Sequence, residues 1–167
     1  MRASSLSSQV SDGTSVCDSS PPRLLVIDDD PVQQELLSRA ASRAGFVTIS
    51  ARSFKEAVRC IKSEAFDCVV LDLNLEDGDG IDLCQEIART EYTGSILIVS
   101  GADARRRSAA RYLARLAGMA TQCLPKPIDL SSFRICLADL GKGLKDLPVI
   151  HEWGGAAVNQ TIEGYRN

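Results

Sequence analysis

The chain has 167 residues, 44% hydrophobic and 25% charged, with a formal net charge of −3. That is enough apolar material for one core of roughly 120 to 150 residues plus tails, and the mild acidity offers no general attraction to nucleic-acid phosphates or anionic lipid. No apolar run approaches the roughly 20 residues that span a bilayer, the amino terminus lacks the apolar stretch of an export signal, and one histidine, His151, leaves little for histidine chemistry.

Residues 1–22 are rich in Ser and end in Pro21-Pro22, a composition that buries too little apolar surface to offset chain entropy; they read as a disordered leader. Leu24 to Ile27 reads as a buried strand. Asp30 can cap a helix with Pro31 at its first position and Gln33 at its third, with Val32, Leu36, Leu37, Ala40 and Ala44 on the inward face and Gly45 closing it. Phe46 to Ser50 is the next predicted strand, and Ser53-Phe54-Lys55-Glu56 a capping box opening a helix to about Glu64. Cys68 to Leu71 is a strand, followed by a Gly-rich acidic loop from Glu76 to Gly80 in which Asp77 and Asp79 suit turn and cap positions. A helix with Ile81, Cys84 and Ile87 inward leads to a strand from Ile96 to Val99. Ala102 to Ala117 reads as helix, Ala120 to Leu124 as a short strand, and Asp129 as the cap of a last helix with Leu130, Phe133, Leu137 and Leu140 on one stripe. Beyond Leu147-Pro148 the periodicity fades, so residues 146–167, with the lone Trp153, read as a tail or linker. The six cysteines, Cys17, Cys60, Cys68, Cys84, Cys123 and Cys136, form no Cys-x-x-Cys pair and suit small hydrophobes in a reducing cytoplasm.

Alternating strands and helices, with uninterrupted apolar central strands, predict an α/β fold: a doubly wound, five-stranded parallel sheet with helices on both faces. In such sheets ligands bind beyond the carboxyl ends of the strands. Asp28, Asp29, Asp72, Ser100 and Lys126 all fall there. Two carboxylates about 4 Å apart repel by roughly 4 kcal/mol at an effective dielectric near 20, so three should share protons or take up a divalent cation. Mg²⁺ suits the oxygen set and leaves room for a phosphate ligand. Asp72, alone at its strand end, is the candidate nucleophile, because carboxylates form aspartyl-phosphates. Asp28 and Asp29 are the candidate metal ligands, with Lys126 and Ser100 placed to meet phosphoryl oxygens.

The segments Ile27-Asp28-Asp29-Asp30-Pro31, Val70-Leu71-Asp72-Leu73-Asn74 with Gly78-Asp79-Gly80, Val99-Ser100-Gly101 and Leu124-Pro125-Lys126-Pro127 resemble, in order, the motifs of a response-regulator receiver domain of two-component signalling. The resemblance spans about residues 23–145 and implies a flavodoxin-like sheet of order 2-1-3-4-5. It further implies phosphoryl transfer to Asp72 from a histidine kinase or phosphotransfer protein, and Mg²⁺ on Asp29, Asp72 and the backbone carbonyl of Asn74. It implies a cis Lys126-Pro127 bond as well. Glu76 stands where the family usually has Pro, and Cys123 where it often has Tyr or Phe, so activation must use something other than a swinging ring. Arg107, Arg111 and Arg115, near Arg105 and Arg106, give one helix a basic face. A solvated face explains it, and so does docking of an acidic partner, since the resemblance places output contacts between Ala102 and Leu140. Two rival readings are a degenerate receiver working without phosphorylation and a Mg²⁺-dependent aspartyl-phosphate phosphatase. The latter carries its nucleophile on the first strand, where this chain's Asp72 is not.

Overall fold

The computed structural model describes residues 20–141. The expected leader and tail, with Cys17, His151 and Trp153, lie almost wholly outside them. In chain order the elements are β1 (Arg23–Ile27), α1 (Pro31–Arg43), β2 (Val47–Ala51), α2 (Phe54–Ser63), β3 (Cys68–Leu71), β4 (Asn74–Leu75), β5 (Gly78–Asp79), α3 (Gly80–Arg89), β6 (Ser95–Ser100), α4 (Ala104–Leu116), β7 (Ala120–Pro125) and α5 (Leu130–Gly141). The main sheet has five parallel strands in the order β2-β1-β3-β6-β7. Counting its strands alone, this is the expected 2-1-3-4-5.

Both faces of the sheet are covered, which is why its central strands carry no polar alternation. Leu25, Ile27, Val69, Leu71, Ile96 and Ile98 pack on one side with Ala57, Leu83, Ile87, Ala110 and Ala114 from α2, α3 and α4. Leu24, Val26, Val70, Leu97 and Val99 pack on the other with Leu37, Ala40, Phe133 and Leu137 from α1 and α5. Cys68, Cys84 and Cys136 are buried thiols; burial pushes Cys84 up to about 12 and Cys136 up to about 11, so they behave as the expected small hydrophobes.

Three local expectations need correction. In α1 the inward residues are Gln34, Leu37, Ala40 and Ala41, whereas Val32 is 72% and Leu36 37% exposed. The helix is phased by a polar anchor: the Gln34 amide donates to the carbonyls of Asp28 (3.2 Å) and Ala51 (2.8 Å), a pairing an apolar count cannot reveal. The acidic loop contains a short antiparallel hairpin, Asn74–Leu75 against Gly78–Asp79. Helix α4 starts at Ala104 with Asp103 as its cap, accepting from Arg106 N at 2.9 Å, so Ala102 precedes the helix.

The other caps follow the expected chemistry. Asp30 accepts from Val32 N and Gln33 N, and Ser53 from Glu56 N; Glu56 reaches back one residue further than a capping box requires, to Arg52 N. Asp129 accepts from Ser131 N and Ser132 N. Gly45 closes α1 at φ +92°, a conformation that favours glycine.

Gly80 is required by space. A Cβ there would lie 2.5 Å from Leu73 Cα and 2.7 Å from the carbonyl oxygen of Asp72, both backbone atoms that cannot swing aside. Gly80→Ala is expected to cost about 1–3 kcal/mol, read as a lower urea midpoint; an unchanged midpoint would show that this junction yields freely.

Candidate functional site

Four neighbouring strands end at one edge, and their register assembles the site. Ile27 pairs with Leu71 and Leu71 with Ile98, so the residues after β1 and β3, Asp28 and Asp72, emerge side by side. The amide of Asp72 donates to the Ile27 carbonyl at 2.9 Å. Ser100 ends β6, and Lys126 follows β7 with its amide on the Ser100 carbonyl at 3.2 Å. Pro125 removes a ladder donor, which β7 tolerates as an edge strand. The Lys126-Pro127 bond is cis, as the resemblance implied.

The side chains converge. Carboxylate oxygens of Asp28, Asp29 and Asp72 all lie within 4.8 Å of one another. Asp28 is 1% and Asp72 5% exposed, and Ser100 is fully buried. Lys126 Nζ bridges the two deepest acids, donating to Asp28 Oδ2 at 2.8 Å and to Asp72 Oδ2 at 2.6 Å. The other oxygen of Asp72 accepts from Ser100 Oγ at 2.7 Å and from Asn74 N at 3.1 Å, and the other oxygen of Asp28 from Asp30 N at 3.0 Å. All five predicted side chains are thus brought into one cluster. Asn74, predicted to contribute its carbonyl, adjoins it through its amide.

Among the described residues the charges of the cluster do not balance. Three carboxylates face one ammonium, so in their charged forms they leave an excess of two negative charges. Burial pushes the Asp28 carboxyl above the ordinary aspartate range; the Lys126 and Asp30 donors pull the other way, and the Asp72 charge adds to the rise. Burial also disfavours the Lys126 ammonium, but its bonds to Asp28 and Asp72 outweigh that and hold it above the usual lysine value. Asp29 is half-buried, and among the described residues no donor meets its carboxylate. An acidic oxygen set lacking a donor on one member, with a charge deficit matching a divalent ion, fits Mg²⁺ by donor chemistry.

Several contributors escape a reading of the sequence. Gln34 fixes the backbone at Asp28, and Arg52 Nε donates to the Gln34 side-chain oxygen at 3.3 Å. Asp77 caps α2 from the hairpin, accepting from Phe54 N at 2.6 Å. Arg106 and Arg107, counted as parts of a basic face, are engaged within the domain while staying half-exposed: Arg106 contacts Asp79 and Asn74, and Arg107 donates to the Ala102 carbonyl. A helix reaching back to a hairpin leaves no mark in spacing.

A family model described as "response regulator receiver domain" matches residues 24–137. The chain is 34% identical over 110 residues to "Response regulator MprA" of Mycolicibacterium vanbaalenii, covering 66% of this chain and 46% of that protein. It is 32% identical over 116 residues to "Response regulator protein PilR" of Pseudomonas aeruginosa, covering 70% of this chain and 25% of that protein. It therefore spans about half or less of the length of these curated relatives. Among solved structures, the non-phosphorylated HemR receiver domain of Leptospira biflexa is similar at a TM-score of 0.65 and 31% identity, over 76% of this chain and 99% of that one. A two-component response regulator from Clostridium difficile shares the fold at a TM-score of 0.65 and 23% identity, over 75% and 99% of the two chains.

Lys126→Met would leave Asp28 and Asp72 buried without their shared cation, and is expected to cost about 3 kcal/mol. Urea unfolding should show the drop, and Asp28→Asn in the same background should recover part of it. Equal midpoints for parent and Lys126→Met would mean the bridge does not hold the site together.

Proposed function

The chain belongs to the response regulator receiver domain family of two-component signalling, and we propose that within it Asp72 is the phosphoacceptor, supplied by a histidine kinase or a histidine phosphotransfer protein. The receiver unit is residues 23–145, acting in the cytoplasm as a switch with no metabolic reaction of its own. The observation that carries this is the meeting of Asp28, Asp72, Ser100 and Lys126 in one hydrogen-bonded cluster, with carboxylate oxygens of Asp29, Asp28 and Asp72 all within 4.8 Å of one another.

Transfer forms a bond from an Asp72 carboxylate oxygen to phosphorus as the bond from phosphorus to the donor nitrogen breaks. The electron pair of that bond leaves on the donor imidazole. Both Asp72 oxygens are engaged, one by Lys126 and the other by Ser100 and Asn74. Among the described residues Asp72 Oδ2 accepts from Lys126 alone, so a lone pair remains for attack, and the oxygens of the incoming group offer Lys126 a further acceptor. Lys126 is suited to pass from carboxylate to phosphoryl oxygen, since its bonds keep it protonated. Ser100 can hydrogen-bond a second phosphoryl oxygen without leaving its strand end. Asp28, Asp29, Asp72 and the Asn74 carbonyl would hold Mg²⁺, which when bound neutralises charge on the transferring group.

The signal would leave through the face between Ala102 and Leu140. Ser100 Oγ accepts from Ala102 N at 3.2 Å, linking the site to the start of α4, and Tyr112 and Leu116 on that helix are 64% and 67% exposed. An acidic protein partner suits Arg105, Arg111 and Arg115 better than nucleic acid does, because the chain is acidic overall.

Intact-mass measurement after incubation with acetyl phosphate tests this reading. The parent should gain one phosphoryl group only with Mg²⁺, and Asp72→Asn should gain none. Uptake by Asp72→Asn equal to the parent's, or no uptake by either, would remove Asp72 from the role.

A further inference from the structure

Two routes lead from Asp72 Oδ1 to the start of α4. One runs through Ser100, whose hydroxyl donates to that oxygen at 2.7 Å and accepts from Ala102 N just ahead of the helix. The other runs through Asn74, whose amide donates to the same oxygen at 3.1 Å and whose side-chain oxygen accepts from Arg106 Nη1 at 3.3 Å. Arg106 Nη2 also donates to Asp79 Oδ2 at 2.8 Å, and Asp79 caps α3 by accepting from Ile81 N at 2.8 Å. One guanidinium therefore spans from α4 to both strands of the hairpin that follows Asp72.

We propose that Arg106 is a positioning residue for the acidic site: its planar fork clamps Asn74 and Asp79, holding the segment that leaves Asp72 in the shape that binds a divalent cation. The inference rests on the reading of Asp28, Asp29, Asp72 and the Asn74 carbonyl as the cation-binding groups. It does not depend on the ion pair contributing much to folding. Arg106 and Asp79 are 39% and 42% exposed, and pairs that open to water contribute little to global stability. The effect is geometric, because Asn74 is two residues from Asp72 and its own amide is bonded to Asp72 Oδ1, so a shift of the Asn74 side chain is felt at the carboxylate. Lysine cannot replace the arginine fully, since a single ammonium does not present two parallel donors to two acceptors.

Positioning and charge predict opposite signs. Arg106→Ala makes the surroundings of the cluster more negative by one charge, which alone would tighten cation binding. Loss of the clamp would weaken it. Calorimetric titration of MgCl₂ into the unphosphorylated full chain separates the two without any turnover. Arg106→Ala is expected to raise the Mg²⁺ Kd by about tenfold, the lower end of the loss seen when a group orienting a metal ligand is removed. Arg106→Lys should fall between the variant and the parent, with melting temperatures close throughout. A Kd for Arg106→Ala equal to or below the parent's, with the parent binding normally, would overturn the clamp and leave the acidic site standing. A parent that binds no Mg²⁺ would overturn the cation site and the clamp with it.

Discussion

The structure turns on one ammonium serving two buried carboxylates. Lys126 lies between Asp28 and Asp72 at bonding distance from each, and without it two adjacent strand ends would present like charges to each other in an interior that screens them poorly. With it the cluster is held together but still short of positive charge, since Asp29 has no donor among the described residues. That imbalance makes the site receptive: it is stable enough to fold and negative enough to attract a divalent cation. A site built for stability alone would have replaced one of the three acids by a neutral residue.

The sheet makes this arrangement possible. The central strands are buried on both faces, so their ends are fixed by two cores and cannot splay to relieve repulsion. The hairpin after Asp72 extends that rigidity outward. Asp77 caps α2, Asp79 caps α3 and receives Arg106 from α4, and Gly80 lies against the Asp72 carbonyl. The segment that leaves Asp72 is therefore hydrogen-bonded to three helices. Cys123, half-buried on the last sheet strand, carries no aromatic ring, whereas Ser100 and Asn74 link Asp72 to the start of α4 by hydrogen bonds.

Much of this is legible in the residues themselves. The strands ending in Asp28, Asp72 and Ser100 are short unbroken apolar runs closed by a polar residue, a pattern that survives any uncertainty about pairing, and the order of the motifs supplies the topology. The departures share a cause. In α1, apolar residues at 32, 36, 37, 40 and 44 are compatible with more than one rotation, and the deciding contact is polar, from Gln34 to two strand-end carbonyls. The hairpin's strands are two residues long, too short to carry a period. Arg106 lies 27 residues from Asp79 along the chain and sits among other arginines, so its individual role depends on how α4 packs and not on any local signature.

The central claim is that Asp28, Asp29 and Asp72 form a single cation site next to the Lys126 ammonium. Crystals soaked in MnCl₂ and measured for anomalous scattering test it most directly. One strong peak contacting the carboxylates of Asp29 and Asp72, with Lys126 retained beside Asp72, is the predicted result. Manganese bound elsewhere, with those three carboxylates bare of metal, would contradict it.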